Sequence, residues 1–132
     1  MKKIVFILFA LVLSTSLVVA QSAKKEPKVE FKKSSHDFGK VAESSKTVTC
    51  EFTFKNIGSA PFLIQRVQAS CGCTTPEYTN EPVLPGKEGK IKVSYSTTGR
   101  PGTFSKDIHV FSNVADTVYR LTIKGEVLRD RK

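Results

Sequence analysis

Three cysteines carry the least ordinary chemistry in this sequence. Cys71 and Cys73 are separated only by Gly72, after an apolar stretch and just before Pro76. A glycine between them permits backbone angles that a Cβ forbids. A bridge across so short a loop requires a sharp bend, and a strained disulfide is easier to reduce. Four chemistries are open to two such close thiols. They are a local disulfide that stiffens the loop, a bridge from either one to Cys50, a soft-metal site for Cu(I) or Zn, and thiol–disulfide exchange. A metal site wants three or four ligands, and no C-x-x-C or H-x-x-x-H stands beside the pair. Exchange would lack the helix N-terminus that activates a C-x-x-C thiol. Cys50 differs from the pair: it shares the phase of Val48, Phe52 and Phe54, so it reads as an inert core thiol.

Neither histidine is drawn to the cysteines by spacing. His36 precedes Asp37 at an expected bend, where it would hydrogen-bond locally. His109 lies between Ile108 and Val110, so it should point outward. The acids are scattered. There is no G-x-S-x-G, H-E-x-x-H, P-loop or G-x-G-x-x-G, so no enzyme and no cofactor is expected.

These residues must be positioned by a chain of 132 residues, about one domain. Its composition, 39% hydrophobic and 25% charged, excludes collagen-like, wholly disordered and polytopic membrane proteins. The first twenty residues read as a secretory signal: Lys2 and Lys3, an unbroken apolar run from Ile4 to Leu13, then Val18 and Ala20 before a cleavage point at Gln21. No cysteine lies near that point, which argues against a lipoprotein. The expected location is therefore secreted, in a periplasm. Residues 21–28 are expected to form a flexible arm, 29–128 the folded domain and 129–132 a basic tail. The 21 Lys and Arg against 12 Asp and Glu give a formal charge of +9. These charges are spread along the chain, with clusters at both termini, and they read mainly as solubility and protection of sheet edges. Nucleic acid is not expected as a partner, because the phenylalanines sit at inward strand phases and offer no stacking platform.

Period-two alternation dominates after the arm. Val29 and Phe31 mark a short strand, and His36–Val41 a bend around Gly39. Thr47–Lys55 is the clearest strand, broken by Asn56–Pro61. Phe62–Ala69 follows as a mixed strand, and Thr74–Pro85 reads as mostly loop. Ile91, Val93 and Tyr95 mark the next strand, with Thr97–Thr103 as a hairpin connection. Phe104, Ile108 and Val110, then Tyr119, Leu121, Ile123 and Val127, mark the last two. About seven short strands without helical periodicity predict an all-β, immunoglobulin-like antiparallel sandwich. The immunoglobulin disulfide and core Trp are absent.

Five segments occur here in one order: His36-Asp37-Phe38-Gly39-Lys40-Val41, Phe52-Thr53-Phe54-Lys55-Asn56-Ile57-Gly58, Ser70-Cys71-Gly72-Cys73-Thr74, Pro85-Gly86 and Gly102-Thr103-Phe104-Ser105-Lys106. Together they resemble the bacterial domain-of-unknown-function family 1573, over about residues 29–128. That family is similar to the immunoglobulin-like group of the major sperm protein and ciliary domains. The resemblance implies a seven-stranded sandwich, a protein-binding or assembly role, and a site at the Cys71-Gly72-Cys73 loop. With the export signal, the expected partner is an envelope protein, bound through a sandwich end or an exposed edge strand.

Overall fold

The computed structural model describes residues 24–131. The expected signal segment and its cleavage point between Ala20 and Gln21 lie outside the described residues. Eight strands follow in order: β1 (Val29–Phe31), β2 (Ser35–Ala42), β3 (Thr47–Asn56), β4 (Ile64–Ala69), β5 (Thr74–Tyr78), β6 (Glu88–Ser96), β7 (Gly102–Ser112) and β8 (Val118–Leu128). One sheet has the order β1-β3-β6-β5 and the other β2-β8-β7-β4. The chain thus forms an immunoglobulin-like sandwich in which the first strand is split between the two sheets. All pairings are antiparallel except β2 with β8, which is parallel.

The alternation read in the sequence becomes the core. Phe52, Phe54, Ile91 and Val93 of the first sheet and Ile108, Val110, Leu121 and Ile123 of the second are fully buried. Each such side chain contributes about 1.5–3 kcal/mol relative to exposure. Tyr95 and Phe104 stack across the sheets with ring centroids 3.9 Å apart. Phe62, between the sheets, packs edge-on to both Phe54 and Tyr119.

Three segments depart from the sequence reading. His36–Val41 is not a bend but a bulged edge strand. Its register slips between Asp37 and Lys40, where Gly39 takes φ 66° and donates its N–H to Asp37 Oδ1. Thr74–Tyr78 is a strand despite Pro76. Cys73 O accepts from Ser96 N on β6, so odd-numbered residues of β5 face β6, and the missing N–H of Pro76 points to the open edge. Residues 97–101 join strands of different sheets, so they are a crossover and not a hairpin connection.

The N-terminal residues nearest the domain are hydrogen-bonded to it. Lys28 O accepts from Ile57 N and Gly58 N, and Glu26 O accepts from Ser59 N and Ala60 N. Gly58 allows this approach, because a Cβ there would run into the backbone of Glu26, Pro27 and Lys28. No helix among the described residues is long and apolar enough to cross a membrane.

Candidate functional site

Residues 70–73 carry the chain from β4 in one sheet to β5 in the other. Both ends of this crossing are anchored. Ser70 N donates to Asp107 O at 3.0 Å, and Asp107 N donates back to Ser70 Oγ at 3.2 Å. At the far side Ser96 N donates to Cys73 O at 2.9 Å, and Thr74 N closes the turn onto Cys71 O at 3.3 Å. The bend brings the Cys71 and Cys73 sulfurs into contact, with Cα atoms 5.4 Å apart. That spacing lies in the range a disulfide spans.

The two sulfurs have different surroundings. Cys73 is only 6% exposed and belongs to the core, whereas Cys71 is half-buried. Cys73 N donates to Cys71 Sγ at 3.2 Å. The buried Thr74 hydroxyl lies 3.9 Å from Cys71 Sγ and 3.8 Å from Cys73 Sγ. The neighbouring loops brace this end of the sandwich. Thr97 N donates to Lys46 O, Thr97 Oγ1 to Glu43 O, and Gly99 N to a Glu43 carboxylate oxygen at 2.9 Å.

Cys50 stands apart from the pair, and the bridge from it to Cys71 or Cys73 is not formed. It is free, 7% exposed, and burial pushes its thiol up to about 11, an effect partly offset by the Lys33 charge. In register it faces Val93, which faces Pro76 on β5. Two strand spacings, about 10 Å, therefore separate Cys50 from the strand that follows Cys73. Neither histidine joins the loop. His36 lies on β2, with β8 and β7 between it and the β4–β5 crossing. Its Nδ1 accepts from Lys33 Nζ at 2.6 Å, and its ring meets Phe38 edge-on. Burial and the Lys33 charge lower its pKa, while Asp37 pulls it back up. His109 is in register with Gln68 and Arg120, on the face opposite to the buried Ile108 and Val110. Among the described residues no three His, Cys, Asp or Glu side chains converge as metal ligands, so the pair offers a soft metal two sulfurs and no third donor from these types.

Two features were not anticipated from the sequence. The side chain of Asn56 is completely buried. It donates to Ala60 O and Val83 O and accepts from Gly58 N, tying three segments together. An asparagine that ends a strand two residues before a glycine was the available signal. The other is which edge stays open. β1 covers β3 only at Phe54–Asn56, and Lys32 N donates to Thr53 O. That bond fixes the parity: the peptide groups of odd-numbered β3 residues face away from β6. Among the described residues no strand pairs with Thr47, Thr49 or Glu51 on that side, and all three are exposed.

The sequence profile of a protein family of unknown function, DUF1573, matches residues 29–127. No curated protein sequence matches the chain. Among solved structures, a protein of unknown function from Porphyromonas gingivalis W83 superimposes with TM-score 0.66 at 16% identity, over 81% of this chain and 50% of that one. This chain thus spans about half the length of that relative. The ASH/PapD-like domain 7 of human CEP192 gives TM-score 0.66 at 12% identity, over 90% of this chain and 99% of that domain. The YadV chaperone gives 0.51 at 15% identity, over 78% and 52%. At these identities the likeness is one of fold.

Proposed function

From the premise that this chain belongs to the DUF1573 family of unknown function, we propose that it is a non-enzymatic immunoglobulin-like module. In this reading it binds a protein partner in the cell envelope by taking up an extended segment at the edge of a sheet. The observation that carries the reading is the open side of β3. Thr47, Thr49 and Glu51 turn their peptide N–H and C=O groups away from β6, with no strand opposite among the described residues. Such an edge binds an added strand through main-chain hydrogen bonds. The three other edges are each interrupted: β5 carries Pro76, β2 is bulged at Gly39, and the register of β4 slips between Ile64 and Arg66. The PapD-like and chaperone folds of the structural neighbours suit a binding role, by analogy only. The envelope location is supported by Lys2 and Lys3, the apolar run Ile4–Leu13, and Ala20 before Gln21.

The test is a photo-crosslinker at Glu51, compared with one at Thr122 on the other sheet, in the full chain within its cell envelope. A partner should crosslink from Glu51 and not from Thr122. It should be lost in Thr49→Pro, which removes an outward N–H and leaves the bonds to β6. Crosslinks that are equal at the two positions, or that survive Thr49→Pro in a folded protein, overturn the reading.

A further inference from the structure

The Cys71–Cys73 loop is separate from the open β3 edge and has its own chemistry. We propose that Cys71 and Cys73 form a reversible disulfide that exchanges with a thiol pair, Cys71 being the sulfur that is attacked and Cys73 the one that leaves. Four observations carry this assignment. The anchored crossing holds the two sulfurs in contact, so closing and opening the bridge requires no movement of either flanking strand. Cys71 is half-buried and reachable, whereas Cys73 is shielded by the core. Hydrogen-bond donors already stand at the sulfurs: Cys73 N at 3.2 Å from Cys71 Sγ, and the Thr74 hydroxyl within 3.9 Å of both. The third cysteine, Cys50, is buried and free, so a mixed disulfide at Cys71 has no competing internal thiol besides Cys73.

The step balances without any other reagent. An incoming thiolate attacks Cys71 Sγ and forms a mixed disulfide. The Cys71–Cys73 bond breaks, and its electron pair leaves on Cys73 Sγ, which takes up a proton. A second incoming thiolate attacks the partner sulfur of the mixed disulfide, and Cys71 leaves as a thiolate facing the Cys73 N–H. Two thiols become one disulfide, and the cysteine pair gains two electrons. The reverse sequence reduces a disulfide by the same path. A bridge that closes a three-residue loop removes little chain entropy from the unfolded state. Its opening therefore leaves the sandwich folded, which an exchanging site requires and a structural staple does not.

Glutathione is the probe. The full chain is equilibrated in reduced and oxidised glutathione, quenched by alkylation and read by mass spectrometry, with circular dichroism recorded on the same samples. The pair should pass from bridged to doubly alkylated while the β-sheet signal is unchanged and Cys50 stays unalkylated. In Cys73→Ser, oxidised glutathione should add to Cys71 roughly tenfold faster than it adds to Cys73 in Cys71→Ser, since access governs attack. Three results overturn the proposal: no bridge in the oxidised protein, a bridge that opens only when the fold is lost, or equal addition at the two sulfurs. The first two need no variant.

Discussion

At the scale of single residues, the side chains that decide most are not the ones with the most reactive atoms. Asn56 has no exposure and uses both amide hydrogens and its oxygen on the backbone of Ala60, Val83 and Gly58. Removing it strands the half-buried Ala60 carbonyl, while Val83 O keeps the N–H of Phe62 and Gly58 N–H keeps Lys28 O. Asn56→Ala should therefore destabilise the protein by about 2 kcal/mol, read from urea unfolding, because one carbonyl left unpaired costs about 1–3 kcal/mol. His36 makes a different prediction. Its pKa is lowered in the fold, first by burial and then by Lys33. The unfolded chain thus binds a proton more readily than the folded one, and stability rises with pH across this window. The contribution is complete above pH 6.5 and is lost as pH falls through the lowered value. Unfolding measured at a series of pH values should show a slope below pH 6.5 that flattens in His36→Gln. A slope that is unchanged in the variant assigns the effect to other groups.

Among the elements, what was legible in the sequence was what alternation encodes. β3, β6, β7 and β8 each place apolar residues on one face, and that face is buried. β2 and β5 were illegible for a shared physical reason: both are edge strands that carry a breaker, Gly39 in one and Pro76 in the other. An edge strand needs one hydrogen-bonded side, so it tolerates a proline or a positive-φ glycine that would exclude a central strand. The crossing from β6 to β7 had the composition of a hairpin turn. Only the packing of two sheets, which no local pattern records, makes it a crossover. The nearness of Cys71 to Cys73 was plain from their spacing, whereas their unequal exposure depended on which loop end joined the core. The segment that precedes β1 depends on one glycine in the same way. Gly58→Ala introduces a Cβ into the backbone of Glu26 and Lys28. Hydrogen exchange should then speed up at the amides of Ile57, Gly58, Ser59 and Ala60, which donate to Lys28 O and Glu26 O. Exchange at β6 amides such as Ile91 should not change.

For the molecule as a whole, the question is whether the Cys71–Cys73 contact or the apolar core maintains the sandwich. In the chain-entropy model a bridge stabilises by limiting the unfolded ensemble, and a loop of three residues yields about 1.6 kcal/mol. The core works on a larger scale. Phe62 is fully buried between Phe54 of one sheet and Tyr119 of the other, so truncating it opens a cavity between the layers. Phe62→Ala should cost about 3–5 kcal/mol, and Cys71→Ser with Cys73→Ser together no more than about 2 kcal/mol. Urea unfolding of the two variants beside the parent protein checks the order. If the serine variant proves the less stable, the loop is a staple and its cysteines cannot be spared for exchange. If the phenylalanine variant does, the bridge is dispensable to the fold, and the stability of the sandwich leaves the sulfur pair free to open.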